Sequence, residues 1–452
     1  MELTGKKVLV VGLARTGVAL CRFLADAGAR VTVTDMAAPA ELAAHRKEIQ
    51  GLGVTEELGV SQPRWQGYDL VLLSPGVPPE LPWLNAARHA GVPVWGELEL
   101  AGHFFRRPLM AVSGTNGKTT TTTLVGELLK ASGIKALVGG NIGTPLISLL
   151  ASQEEADWLV AEVSSFQLDT APHFHPRAAA LLNITPDHLD RYPNLAAYVA
   201  SKASLFRNHT AGDLRVLNAD DPAVAPLCSG PGLVYYFSAV QTLAAGAWVQ
   251  EGAVRVRLAG EREEAFPLSR IILPGRHNLE NIMAALLLAL GVGADPEACW
   301  QVLANFKGLP HRLQRVAEVG GVEFYDDSKG TNVGAVARSL AHFHQPVILI
   351  AGGRDKDSDF SLLSPHIKEH VKALVLLGET REQLSRVWQG LAPAFQVRDL
   401  EEAVARAWDL ARPGEVVLLS PACASFDMFQ DYAQRGETFQ RLVRDLKNAA
   451  GR

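Results

Sequence analysis

Apolar runs of four or five residues recur along the chain, each closing on a loop of glycine and polar residues and followed by a stretch with helical spacing. Lys7–Val11 ends at Gly12 and predicts a strand, and residues 18–27 predict a helix stopped by Gly28. Residues 31–34, closing on Asp35, and Leu70–Leu73, running into Ser74-Pro75-Gly76, predict two more strands. A Pro- and Gly-rich stretch over residues 77–96 breaks the pattern and sets a first boundary near Glu97. Residues 109–112 then enter Ser113-Gly114-Thr115-Asn116-Gly117-Lys118-Thr119 and a helix from about Thr120 to Ala131. Residues 159–163, 179–182 and 214–217 are further candidates for buried strands. Residues 248–266 alternate apolar and charged side chains, the period-two pattern of an antiparallel ribbon with one wet face. A helix over 279–290 closes that unit. From about Leu309 a third unit repeats the theme with strands at 322–325, 347–350, 373–377 and 416–419. Strand, loop and helix in alternation predict α/β layers around parallel sheets, whose ligands sit at the C-terminal strand ends.

Length agrees with that division: 452 residues at roughly 150 per domain predict about three domains. The fold expected is α/β throughout: a Rossmann-like domain over 1–97, a central P-loop ATPase-like domain with a mostly parallel sheet over 98–308, and a Rossmann-like domain over 309–452. With 48% hydrophobic residues the chain can bury enough surface to fold. Its longest near-apolar run, residues 284–294, is too short for the roughly 20 residues a bilayer needs. Gly12 and Arg15 interrupt the apolar stretch after Lys6 and Lys7 before a signal-peptide core forms. Cys21, Cys228, Cys299 and Cys423 are scattered, which suits a reducing compartment, so a cytoplasmic protein is expected, as a monomer. A net charge of -5 gives no electrostatic footprint for nucleic acid.

The chemistry concentrates around residues 114–119. Gly114 and Gly117 let backbone amides curl round an anion at a helix N-terminus, Lys118 can reach β/γ-phosphates, and Thr119 or Thr120 can offer a hydroxyl to Mg²⁺. The earlier glycine of the full G-x-x-x-x-G-K-[ST] pattern is missing, and an ordinary Gly-rich turn is the competing reading. Glu162 ends an apolar strand, where a carboxylate is expensive unless paired or metal-bound. His188 follows the strand at 179–182; an imidazole among oxygen ligands suits Mg²⁺ or Mn²⁺, while a structural histidine fits equally well. Lys202, in a mostly apolar helical stretch, reads by itself as a lysine snorkelling to the surface. Cys423 lies among Pro, Ala and Ser with no adjacent base and reads as small core packing.

Together these segments resemble the Mur ligases, ATP-dependent amide-bond formers of peptidoglycan precursor synthesis, over essentially the whole chain. The residues that carry the resemblance are Gly114 to Thr119, Gly140-Asn141-Ile142-Gly143, Glu162 to Leu168, Asn183-Ile184-Thr185 with Asp187-His188-Leu189-Asp190, and Lys202. Gly275-Arg276-His277-Asn278 with Asn281, Pro310-His311-Arg312, and Asp327-Ser328-Lys329 with Thr331-Asn332 complete the set. Three further segments, Gly12-Leu13 with Thr16-Gly17, Leu73 to Pro78 and Ser420 to Asp427, are most similar to the member that joins D-glutamate to UDP-N-acetylmuramoyl-L-alanine. The resemblance implies that the loop Gly114, Thr115, Asn116, Gly117, Lys118, Thr119 and Thr120 holds ATP phosphates, with Asn278, Asn281, Arg312 and Asp327 at the adenine and ribose. It implies two Mg²⁺ ions, replaceable by Mn²⁺: one on Thr119 and Glu162, the other on His188 with Lys202 after carbamylation. Thr16, Asp35, Ser74 and Gly76, with Asn141 and His188, would contact the UDP substrate. Lys329, Thr331, Lys356, Ser425 and Phe426 would surround D-glutamate. Lys118, His188 and Lys202 would be the catalytic set, acting on an acyl phosphate. After Asp35 the chain reads Met36-Ala37 where well-known relatives place Thr and Arg, so only Asp35 is carried over at the uracil. Gly12 to Gly17 is G-x-x-x-x-G, which does not support a dinucleotide. Folylpolyglutamate synthase shares the scaffold but does not call for the first hundred residues. A P-loop motor would show consecutive acids where this chain has Glu162 alone.

Overall fold

In the computed structural model, residues 1–450 are described apart from 142, 189, 190, 261, 274, 356 and 357, and the side chain of residue 450 is likewise not described. Among these residues the strands form three sheets. The first holds β1 (Lys7–Val11), β2 (Arg30–Asp35), β3 (Thr55–Leu58), β4 (Leu70–Leu73) and β5 (Val94–Gly96) in the order β3-β2-β1-β4-β5, all parallel. The second holds β6 (Leu109–Ser113), β7 (Ala136–Gly140), β8 (Trp158–Glu162), β9 (Ala178–Leu181), β10 (Leu214–Asn218), β11 (Leu233–Ser238), β12 (Gly246–Gln250), β13 (Ala253–Arg257) and β14 (Glu264–Pro267). Its order is β14-β13-β12-β11-β10-β9-β6-β8-β7, parallel from β7 to β12 and antiparallel through the β12-β13-β14 ribbon. The third holds β15 (Gln314–Val319), β16 (Val322–Asp326), β17 (Val347–Gly352), β18 (Val371–Leu377), β19 (Ala394–Gln396) and β20 (Val416–Leu419) in the order β15-β16-β20-β17-β18-β19, with only β15 antiparallel.

The central strands β1, β4, β6, β9, β17 and β20 are apolar over most of their length because helices cover both faces of a parallel sheet. Strand order reverses beside β1, β6 and β20, so adjacent connections there leave to opposite faces and open a crevice at the C-terminal strand ends. All three crevices are lined by the glycine-rich or polar loops that the sequence pattern singles out.

The chain divides into two compact units. One comprises Met1–Ile184, Ala196–Ile272 and Asn278–Phe306 and contains the first two sheets; the other comprises Thr185–Leu195, Leu273–His277 and Lys307–Arg452 and contains the third. Within the first unit, the amide of Gly96 donates to the Thr170 carbonyl at 2.8 Å and the buried Glu97 carboxylate accepts the Ile147 amide at 2.7 Å.

The stretch over 77–96 is more ordered than its composition suggests: Pro82–His89 is a helix with proline in its first turn, and β5 pairs with β4. Proline at that position sets a helical φ and lacks only an amide that has no helical acceptor anyway. The helix after β6 begins at Lys118 rather than Thr120. Edge strands β3 and β19 carry mixed polar sequences with no buried residue to announce them, and β15 buries only Ala317 and Val319.

In the third sheet, Asp327 follows β16 and ties the crevice loops together. Its Oδ2 accepts from the hydroxyls of Ser420 at 2.6 Å and Ser339 at 2.7 Å, and its Oδ1 accepts the Leu313 amide at 3.2 Å. Burial pushes this carboxyl up to about 6, against the pull of those donors. In an unfolded chain an aspartate titrates near 4, so between about pH 4 and 6 the folded state holds a proton that the unfolded state has released. This group's contribution to stability is therefore fullest below about pH 4 and is lost as pH rises to 6, a change on the order of 3 kcal/mol. Asp327→Asn should flatten that part of the stability profile. Urea midpoints for both proteins across that window provide the check, and parallel profiles would refute it.

Candidate active site

The loop after β6 is built for close approach to an anion. Gly117 adopts φ +85°, and a Cβ there would stand 2.2 Å from Asn281 Oδ1, so a larger residue would strain the backbone and push the buried Asn281 side chain aside. Asn183, just beyond β9, fixes the loop from one side. Its carbonyl accepts the Thr115 amide at 2.8 Å, its Oδ1 accepts the Asn116 amide at 2.9 Å, and its Nδ2 donates to the Asn116 carbonyl at 3.0 Å. Thr115 Oγ1 lies 3.2 Å from the Tyr198 hydroxyl. The helix Lys118–Ala131 starts immediately after Gly117 with no side chain capping its N-terminus, the arrangement that favours phosphate. Thr120 is buried in its first turn. Lys118 folds back over the loop, its Nζ donating to the carbonyls of Gly114 at 2.8 Å and Thr115 at 2.9 Å.

Lys202 shares the first of those acceptors: its Nζ donates to the Gly114 carbonyl at 3.0 Å and lies 4.6 Å from the Tyr198 ring centre. At 1% exposure it is a core lysine, not a snorkelling one. Asn278 and Asn281 project from the first turns of helix Arg276–Leu290, both buried, with Asn281 Nδ2 donating to Asn278 Oδ1 at 3.3 Å.

Glu162 ends β8 and is 2% exposed. Asn141 Nδ2 donates to its Oε1 at 2.8 Å, and the Asn141 amide donates to its carbonyl at 2.9 Å. Gly140 makes this possible: a Cβ there would sit 2.4 Å from the Glu162 carbonyl oxygen. Glu162 Oε2 is buried with no hydrogen-bond partner among the described residues. A buried carboxylate oxygen left without a donor is costly, and a hard divalent cation is the natural occupant beside a phosphate loop. The donor set, carboxylate and threonine hydroxyl, fits Mg²⁺.

At the crevice of the first sheet, Ser74 Oγ donates to the Gly12 carbonyl at 2.8 Å, locking together the loops after β1 and β4. Asp35, at the end of β2, accepts the Leu13 amide at 2.7 Å on Oδ2 and the Ala37 amide at 2.9 Å on Oδ1. Its carboxylate thus shapes the Gly12 loop itself. Thr16 lies in the first turn of the helix Arg15–Asp26, half-buried, and Gly76 is exposed in the loop after β4.

The second unit holds the other candidates. His188 has a left-handed backbone, φ +56°; its amide donates to Asp187 Oδ1 at 3.0 Å and its Nε2 lies 3.8 Å from Asp187 Oδ2. Asn332 Nδ2 donates to that same Oδ2 at 2.9 Å, while Asn332 Oδ1 caps the helix Val333–Leu340. Arg312 stands between His311 and Leu313, both with positive φ and pinned by Asp326 and Asp327 respectively. Lys329 Nζ lies 3.8 Å from the Tyr432 ring centre, and the Thr331 amide donates to the Lys329 carbonyl at 2.8 Å. Ser425 is buried whereas Phe426 is 62% exposed. Lys356 lies outside the described residues. Burial pushes the Cys423 thiol up to about 12, leaving it a protonated packing group.

One supporting residue escapes sequence reasoning. Arg435, buried on helix Tyr432–Ala450, donates from Nε to Ser328 Oγ at 2.9 Å and from Nη2 to the Ser328 carbonyl at 2.8 Å, and reaches the Cys423 carbonyl at 3.4 Å. It clamps two crevice loops, and nothing local marks it among the surface arginines. Asp187, which the resemblance includes without a role of its own, is linked to Asn332, 145 residues away.

Comparison with known proteins agrees with this architecture. Three family models match in succession: the Mur ligase MurD-like N-terminal domain over residues 6–96, the Mur ligase middle domain over 112–289, and the Mur ligase glutamate ligase domain over 311–423. The chain is similar to the UDP-N-acetylmuramoylalanine--D-glutamate ligase of Geobacter metallireducens, 47% identical over 448 residues and 99% of each chain. Its similarity to the ligase of the same name from Pelotomaculum thermopropionicum is 45% identity over 99% of both. Among solved structures, a pseudomurein peptide ligase type C from Methanothermus fervidus matches with TM-score 0.62 at 17% identity, covering 98% of this chain and 100% of that one. The UDP-N-acetylmuramate-alanine ligase of Thermotoga maritima matches with TM-score 0.59 at 20% identity over 97% and 99%. These two establish a shared three-domain, mostly parallel α/β fold, and the full-length identity to the curated relatives goes further: the chain belongs to the Mur ligase family.

Proposed function

We propose that this member of the family adds D-glutamate to UDP-N-acetylmuramoyl-L-alanine, consuming ATP and releasing ADP and phosphate, in cytoplasmic peptidoglycan precursor synthesis. The observation that carries the reading is the pairing of a glycine phosphate loop and its Lys118 with a buried carboxylate, Glu162, one of whose oxygens lacks a donor among the described residues, in a chain nearly half identical to D-glutamate ligases along its whole length. We also infer domain limits of 1–97, 98–308 and 309–452, and a monomer.

A carboxylate and an amine form ions rather than an amide in water, so the acid must first be activated. Transfer of the γ-phosphoryl group to the substrate carboxylate gives an acyl phosphate, whose phosphate then leaves as the D-glutamate amine attacks the acyl carbon. Lys118, with the amides of residues 114–120, holds the phosphates in line and offsets their charge. Thr119 and Glu162 would hold one Mg²⁺, and His188 with a carbamylated Lys202 a second, Mn²⁺ serving in either place. Such ions supply charge neutralisation on the transferring phosphoryl group. Carbamylation joins the neutral Lys202 amine to CO₂ with loss of a proton, turning a buried cation into a carboxylate. Asn278, Asn281, Arg312 and Asp327 are assigned to adenine and ribose, Asp327 through the loop it holds. Thr16, Asp35, Ser74, Gly76, Asn141 and His188 are assigned to the UDP substrate, and Lys329, Thr331, Lys356, Ser425 and Phe426 to D-glutamate.

The direct test offers ATP, Mg²⁺ and UDP-N-acetylmuramoyl-L-alanine with a panel of amino acids of both hands. A peptide product in step with ADP is expected with D-glutamate; ADP without joined product would defeat the proposal. Lys118→Ala should lower kcat by at least about 100-fold while binding of the UDP substrate, followed by calorimetry, is kept. Glu162→Gln should raise the Mg²⁺ concentration for half-maximal rate by roughly 10–100-fold or more, and an unchanged Mg²⁺ dependence would remove it from the metal site. Lys202→Ala should lose most activity and regain part of it with added short carboxylic acids. Wild-type rate in that variant would dispose of the carbamate.

A further inference from the structure

A second group of metal-ligating side chains lies at the other edge of the second sheet. Glu99 and His103 sit four residues apart on the helix Glu97–Phe104, which places them on one face. His173 comes from the loop between the short helix Ser165–Leu168 and β9. Glu99 Oε1 lies 2.8 Å from His173 Nδ1 and 3.3 Å from His103 Nε2, and one donor atom from each of the three residues falls within 4.8 Å of the others. All belong to the first compact unit. A cavity of about 460 Å³ opens on the cluster and is also lined by Leu109, which starts β6, and Arg177, which precedes β9. The cluster therefore stands at the N-terminal strand ends, away from the phosphate loop.

Three features go beyond a chance meeting of polar side chains. Glu99 is only 1% exposed, so its carboxylate is held out of water in a fixed place, whereas His173 is 70% exposed and gives access from solvent. The His173 amide donates to Glu99 Oε2 at 3.0 Å, which orients the carboxylate and turns Oε1 toward both imidazoles. The His103 ring stacks on Trp95 at 4.8 Å with a 25° interplanar angle, fixing the direction of its nitrogens. Around a tetrahedral zinc ion with ligand bonds of about 2.0–2.1 Å, neighbouring ligand atoms are about 3.3 Å apart. The two Glu99–imidazole distances, 2.8 and 3.3 Å, equal that separation or fall short of it by about half an ångström.

We propose that Glu99, His103 and His173 form a Zn²⁺ site, distinct from the ATP site, that staples helix Glu97–Phe104 to the loop before β9, with a water on the cavity side as fourth ligand. Two imidazoles and a carboxylate suit a borderline cation better than Mg²⁺, so the two sites sort metals by ligand chemistry.

The test is calorimetric titration of the chelator-treated full chain with ZnCl₂ in excess Mg²⁺, alongside His103→Ala, His173→Ala and Glu99→Gln. The wild type is expected to bind one more equivalent than each variant, with Kd below about 50 µM, and saturating Zn²⁺ should raise its melting temperature by on the order of 2 °C but not theirs. Substitution with Co²⁺ should give tetrahedral d–d absorption in the wild type alone. The exposed His173 can be truncated without disturbing the core, so a folded variant is in hand. A His366→Ala/His370→Ala protein controls for the stacked surface pair on helix Ser364–His370 and should retain the equivalent. Equal stoichiometry in the wild type and His173→Ala, or no wild-type binding tighter than about 50 µM, would reduce the cluster to a hydrogen-bonded clamp and overturn the proposal.

Discussion

A carboxylate removed from water must have its hydration replaced, and at Glu162 the chain replaces only half of it. Asn141 satisfies Oε1, yet among the described residues Oε2 is sealed in without a donor. The desolvation of a buried charge is worth several kcal/mol, so such an arrangement persists only if the rest of the fold pays for it or a cation completes it. Much of the central sheet is arranged around this constraint. Gly140 gives up its side chain so that β7 can close against the Glu162 carbonyl, and β6 runs alongside in parallel register, delivering the phosphate loop to the same edge. In the proposed reading, a metal–nucleotide complex would bring to this edge positive charge for the carboxylate and an anion for the helix N-terminus.

The two edges of the sheets treat charge differently. At the N-terminal ends, carboxylates tie strands to neighbouring loops and cations. Asp69, just before β4, accepts the Lys7 amide at 2.8 Å. Asp213, just before β10, takes the Thr210 hydroxyl at 2.8 Å and His175 Nε2 at 2.7 Å on one oxygen and faces Arg177 Nε at 3.2 Å with the other. These groups are staples. At the C-terminal ends the polar groups either support a loop, as Asp35, Asp327 and Asn183 do, or face a ligand space, as Glu162 does. Parallel strands favour this asymmetry, because divergence of the connections at a switch point opens a crevice at the C-terminal side.

What could be read from the sequence follows from the range of the interactions concerned. The phosphate loop is local: strand, glycines, lysine and helix are contiguous, so residues 109–131 suffice to recognise it. Glu162 is legible for a similar reason, since a carboxylate inside Leu159 to Val163 stands out against its neighbours. Lys202 shows the opposite case. A lysine near the end of an apolar helix has the same local pattern whether it snorkels or turns inward, and its burial is decided by Gly114, 88 residues earlier in the chain. Only likeness to a family carries that information. Arg435 has no such signal at all, because its partners Ser328 and Cys423 are backbone and hydroxyl groups with no sequence pattern of their own. The edge strands β3 and β19 escape because they are short and no residue in either is buried, so no apolar stripe marks them; β15 buries only Ala317 and Val319.

The same reasoning bears on where specificity can reside. The switch-point loops of the third sheet are held by interactions that leave little freedom: Asp327 binds Ser339 and Ser420, and Arg435 binds Ser328 and Cys423. Their backbones are thus fixed from beneath by buried groups that no small ligand could reach. Lys329, Thr331 and Phe426 lie on the same loops and are less buried than these supports. In the proposed reading they surround the amino acid, so a substitution among the buried supports would shift several of them at once, whereas a change of substrate would be written in the less buried set.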